Sequence, residues 1–107
     1  MVKSIIVWTQ FAASELKSIY QFYKHNASIT VARNIKERIY SSVKQLHNHP
    51  LSGAIENNLT DSEYKYRYLV ENNYKIIYRY HNNNIYIVDI FDCRRNPEEM
   101  KLSTSKK

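Results

Sequence analysis

Lys65, Arg67, Lys75 and Arg79 recur at even spacings along YKYRYLVENNYKIIYRYH, and Arg94 and Arg95 close the apolar run that follows. Side chains alternate across a strand with period two, so evenly spaced cations gather on one face. Such a face can neutralise phosphate or receive the carboxylates of an acidic protein. Tyr86, between Ile85 and Ile87, is placed to join it and to offer a ring for stacking. The competing reading is a solvated sheet face, with Arg94 and Arg95 merely pairing with Asp92 or Glu98. His47 and His49 near Pro50 lack the Cys or carboxylate cluster that would complete a metal site, so no metal or cofactor is expected. Cys93, the one cysteine, reads as a small packing residue.

These residues must be positioned by a small fold. The chain has 107 residues and is expected to form one domain over 1–107. Its formal charge is +6, which favours nucleic acid or an acidic protein as partner. Ten tyrosines carry most of the aromatic content, apolar bodies with polar tips. The apolar run near the N-terminus, Ile5 to Trp8, is too short for a signal peptide or a membrane span, and a cytoplasmic location is expected.

Lys3 to Trp8 reads as a strand. Thr9 is an N-cap for a helix whose stripe is Ala12, Leu16, Ile19, Tyr20 and Tyr23. Ser28 caps a second, with Val31, Ala32, Ile35, Ile39, Val43 and Leu46 inward, and Pro50 stops it. Gly53, the only glycine, is expected in a turn that needs positive φ. Residues 51–62 read as an irregular linker. Strands follow at Tyr64–Val70, Tyr74–Tyr80 and Ile85–Phe91, the last two joined through Asn82-Asn83-Asn84. A helical turn at Glu98–Leu102 and a frayed polar tail from about 101 complete the chain. The order β-α-α-β-β-β is an α+β pattern with the helices on one face of the sheet.

The register of the first hairpin decides where the cations go. A three-residue loop, Glu71-Asn72-Asn73, sets Lys65 opposite Arg79 and Arg67 opposite Ile77, and gathers Lys65, Arg67, Lys75 and Arg79 on one face. This is the preferred register. It sends the tyrosines of both strands, with Val70 and Ile76, towards the helices. A two-residue loop would split the cations between faces.

The ordered set Val7-Trp8-Thr9, Ala12 or Ala13, Leu16, Ile19-Tyr20, Ala32, Ile35, Leu46, Pro50 and Gly53 continues in the second half. There it adds Tyr66-Arg67, Leu69, Tyr74-Lys75-Ile76-Ile77-Tyr78-Arg79, Ile90-Phe91-Asp92 and Arg94-Arg95-Asn96-Pro97. With these residues the chain resembles toxins of the RelE/ParE superfamily from bacterial type II toxin–antitoxin systems, nearer the ParE (plasmid stabilisation) branch. The resemblance runs over about residues 3 to 100. It implies a curved antiparallel sheet packed on a helical hairpin, and a toxin neutralised by a cognate antitoxin. The implied target is DNA gyrase for ParE-like members, or the ribosome with its mRNA for RelE-like endoribonucleases. The assembly implied is a homodimer or a toxin–antitoxin hetero-oligomer.

In the nuclease alternative Arg67, Lys75 and Arg94 or Arg95 would be catalytic, stabilising charge on the scissile phosphate. The chain departs from that pattern. Lys75 stands where RelE-like chains place an arginine, and Met100 and Lys101 stand where a C-terminal tyrosine is expected. No histidine follows His81 to act as acid or base. These departures favour the gyrase reading. A non-toxic member that only binds an antitoxin or DNA is the third reading.

Overall fold

The computed structural model describes residues 3–59 and 64–100. In chain order the elements are β1 (Ile5–Trp8), α1 (Gln10–Asn26), α2 (Ile29–Lys44), β2 (Ala54–Ile55), β3 (Tyr66–Glu71), β4 (Tyr74–His81) and β5 (Asn84–Asp92). Both expected caps form. The Thr9 hydroxyl accepts from the Ala12 amide at 3.2 Å, and the Ser28 hydroxyl from the Val31 amide at 3.1 Å. Each satisfies one of the orphan donors of a helix start.

The sheet order is β1-β5-β4-β3-β2. The pairs among β2 to β5 are antiparallel as expected, whereas β1 runs parallel to β5, so the sheet is mixed and open. The expected linker also contains structure, namely β2 and a 3-10 turn at Asn57–Leu59.

The α1–α2 hairpin covers one face. Ala12, Leu16, Ile39, Val43 and Leu46 pack there against Tyr74, Ile76, Tyr78, Ile85, Ile87 and Ile90. The opposite face carries a second apolar cluster of Leu59, Tyr66, Ile77, Val88, Phe91 and Met100, flanked by Tyr68 and Tyr86. Alternation along β3 and β4 therefore feeds two cores rather than one core and a bare surface.

The three-residue hairpin register is not the one adopted. Glu71 pairs with Tyr74 across a two-residue turn, so Arg67 faces Tyr78 and Tyr66 faces Arg79. Asn72 supplies the positive φ (57°) that the tight turn requires. Glu71 is held in the strand from the helix side, where its Oε1 accepts from the Ser42 hydroxyl at 2.8 Å. The second turn is likewise two residues, Asn82 and Asn83 with φ of 50° and 64°, the type I′ pattern. Asn84 begins β5 opposite His81.

Gly53 has no positive φ, contrary to expectation. Glycine is required there by crowding. A Cβ would lie 2.7 Å from the Tyr78 hydroxyl oxygen and 2.8 Å from the Tyr68 carbonyl oxygen. Cys93 is exposed rather than packed. After it, the Met100 amide donates to the Pro97 carbonyl at 3.1 Å and Met100 is buried. The tail from 101 lies outside the described residues.

Candidate anion-binding face

Because the hairpin takes the two-residue turn, the cations divide. Lys75 and Arg79 lie on the sheet face away from the helices, with Tyr66, Tyr68 and Ile77. Arg67, opposite Tyr78, belongs to the helix-facing side. Lys65 sits exposed, just before β3. The expectation that Lys65, Arg67, Lys75 and Arg79 share one face is therefore corrected.

Arg67 holds the chain turn that precedes β2. Its Nη1 donates to the carbonyls of Gly53 at 2.9 Å and Leu51 at 3.2 Å. Beside it, the Tyr78 hydroxyl donates to the Pro50 carbonyl at 2.8 Å and accepts from the Gly53 amide at 2.9 Å. Burial pushes the Tyr78 phenol up, with the Gly53 amide and the Arg67 charge pulling the other way.

Lys75 is neutralised within the fold. Its Nζ lies 2.9 Å from Glu56 Oε1 and 4.2 Å from the Tyr68 ring centre. Glu56 is only 2% exposed, and its Oε2 accepts from the Asn58 amide at 3.0 Å and the Asn58 side chain at 2.9 Å. Burial pushes the Glu56 carboxyl up, but the Asn58 and Lys75 contacts outweigh it and hold it below the usual carboxylate range. Glu56 gives little sign of this role in the sequence, where it stands among linker asparagines.

Arg94 and Arg95 turn back on their own segment. Arg94 grips Asp92 with two bonds, Nε to Oδ1 at 2.9 Å and Nη2 to Oδ2 at 2.7 Å. That fork holds the Asp92 carboxyl below its ordinary range and raises the guanidinium. Arg95 Nε donates to Glu99 at 2.9 Å, and its guanidinium sits 5.0 Å from the Phe91 ring centre. The competing reading of Arg94, a pairing with Asp92, is the arrangement that forms, and the acidic partner of Arg95 is Glu99 rather than Glu98.

Arg79 is different. It stands opposite Tyr66 on β3 and Tyr86 on β5. Its guanidinium carbon lies 4.1 Å from the Tyr64 ring centre and 4.3 Å from that of Tyr86. Tyr86 thus does reach the cation-bearing face, and it meets Arg79 there. Tyr64 and Tyr68, assigned to the helix side by the longer loop, share this face under the observed register. The signal that finds them is the Asn72-Asn73 pair read as a two-residue turn.

Two further features surround the sheet. At a bulge in β5, Asp89 is 0% exposed and neither carboxylate oxygen has a hydrogen-bond partner. Burial, reinforced by Glu15, pushes its carboxyl up to about 7, against a smaller opposing pull from the Arg95 charge. A groove of about 560 Å³ runs between β1 and α2, lined by Ile6, Trp8, Tyr40, Val43, Lys44 and His47. His47 Nδ1 lies 2.6 Å from the Ser4 carbonyl, tying the turn after α2 to the residue that precedes β1. Among the described residues no helix is long and apolar enough to cross a membrane.

A family model described as the ParE toxin of the type II toxin–antitoxin system parDE matches residues 6–97. The fold is similar to a solved structure titled as the chromosomal ParDE TA system from P. aeruginosa. That match has a TM-score of 0.70 at 24% identity and covers 84% of this chain and 96% of the other. No curated protein shows significant similarity to the chain.

Proposed function

Since the chain belongs to the ParE toxin family of type II toxin–antitoxin systems, we propose that it arrests growth by blocking DNA gyrase and is silenced by a cognate antitoxin. The observation that carries the choice of target is the separation of Arg67 from Lys75. A phosphorane is stabilised by cations that converge on one oxyanion. Here Arg67 is on the helix-facing side, bonded to backbone carbonyls, and Lys75 is on the other, paired with Glu56. Arg94 and Arg95 are each engaged by a carboxylate of their own segment. Positions that would serve RNA cleavage serve the fold instead, which supports the gyrase reading over the endoribonuclease one.

The antitoxin is expected to lay an acidic, amphipathic segment across the sheet and the helical hairpin. The apolar groove between β1 and α2 suits such a segment, and β1 is an edge strand whose outer backbone groups are open to pairing.

Purified protein should inhibit gyrase supercoiling and leave ribosome-bound mRNA uncut. Arg67→Lys, assayed at a temperature where the variant stays folded, should keep that inhibition. Codon-phased cleavage of translated mRNA, abolished by the same substitution, would overturn the reading.

A further inference from the structure

We propose that Arg79 is the receptor for a single carboxylate of an acidic protein partner, held ready between Tyr64 and Tyr86. The inference rests on the proposed function only in taking that partner to be a protein.

Every other arginine of the expected site is spent within the fold, on Leu51 and Gly53, on Asp92 or on Glu99. Lys75 is spent on Glu56. The Arg79 side chain makes neither a hydrogen bond nor an ion pair with any described residue, and its Nε is buried without an acceptor. The buried Nε forgoes the bond that water or a carboxylate would give it. Nε alone of its nitrogens is a buried orphan, so the terminal nitrogens reach solvent.

The two rings fix the side chain. Tyr86 flanks it from β5 and Tyr64 from the approach to β3, at 4.3 and 4.1 Å. Cation–π contact of this kind attracts the charge without consuming an N–H. With the flanks taken, hydrogen bonding is left to the guanidinium edge, whose parallel N–H groups match a carboxylate fork. Little side-chain freedom remains to be lost on binding.

The same surroundings disfavour a nucleic acid. A phosphodiester backbone gains affinity from successive cations along its track. The neighbouring strand cation on this face, Lys75, is already neutralised by a buried carboxylate. The Tyr86 ring is engaged with Arg79 and packs beside the second apolar cluster, which removes it as a platform for a base. One isolated oxyanion is what the site is built to take.

The test uses the full chain, isotopically labelled, with a hexaglutamate peptide as probe at low salt and a thymidine heptanucleotide of equal charge as comparison. The peptide should move the Arg79 Nε–H resonance. Arg79→Lys, which keeps the charge and loses the fork, should weaken peptide binding by about tenfold. An unmoved Arg79 resonance would overturn the proposal. So would equal peptide binding by Arg79→Lys, or a nucleotide that moves Arg79 at lower concentration than the peptide. If Arg79→Lys fails to fold, Tyr64→Leu keeps the cation and loosens it. Peptide binding about threefold weaker is then expected, and unchanged binding refutes the inference. Gyrase inhibition is read separately. Its absence with peptide binding intact would refute the target and spare the receptor; its presence without peptide binding would do the reverse.

Discussion

The Tyr78 hydroxyl accepts the Gly53 amide at 2.9 Å, so a residue at the centre of the sheet clasps the turn that leads into β2. The contact is close because residue 53 has no side chain. A Cβ there would sit 2.7 Å from that hydroxyl and 2.8 Å from the Tyr68 carbonyl, and the second neighbour is strand backbone that cannot step aside. Gly53→Ala should therefore destabilise the fold by about 1–3 kcal/mol, the usual range for overpacking. Its midpoint in chemical denaturation should fall accordingly. A midpoint equal to that of the unchanged chain would show that the turn yields and that the crowding is not real.

Asp89 sets a pH dependence. Its folded-state pKa is raised to about 7, against about 3.9 in an unfolded chain. Below about pH 4 both states hold the proton and no penalty arises. As pH climbs, the unfolded chain releases the proton while the folded chain keeps it, so stability falls until about pH 7 and then levels. Asp89→Asn removes that term. The variant's advantage over the unchanged chain should grow by roughly 2–3 kcal/mol between pH 5 and pH 8. Parallel stability profiles for the two proteins would refute it.

Lys75 and Glu56 form a pair in which only the lysine meets solvent, at 23% exposure against 1% for the glutamate side chain. Lys75→Met strands a buried carboxylate, and the expected cost is about 2–3 kcal/mol, below the range for a fully buried pair because the ammonium is partly hydrated. Glu56→Gln in the same background should recover part of the loss. A double-mutant cycle on denaturation midpoints measures the coupling, and additive effects would mean that the pair contributes nothing. Glu56 has a depressed pKa, so its contribution is present above the ordinary carboxylate range and fades as pH falls through the folded value.

The helical half was legible because its signals are local. Thr9 and Ser28 cap where their hydroxyls precede the apolar stripes, and Pro50 stands just past the end of the second helical run. The strands were legible as segments but not in register. Glu71 can sit in a loop or end a strand, and its bond to Ser42, which is distant in sequence, favours the strand. That single step moved Arg67 to the other face of the sheet. The second core was hidden for a similar reason. Leu59 and Met100 lie in segments that read as linker and tail, and only the folded chain brings them to Ile77 and Val88. Glu56 and Asp89 are buried charges, and no pattern of neighbours in the sequence marks a charge as buried.

The sheet order also governs when the fold can exist. β5, the last described strand in the chain, lies between β4 and β1. Ile5 pairs with Asn84 and Trp8 with Ile87, so the first strand waits for almost the whole described chain before it has a partner. The helical hairpin likewise lacks the Ile85, Ile87 and Ile90 floor it packs on. Without β5 the remaining strands cannot form one sheet, and closing the long β1–β5 loop carries the entropic cost of distant contacts. The sheet is therefore complete only once β5, through Asp92, is free of the ribosomal tunnel, so the strand that joins its two halves is the last of the described strands to be made.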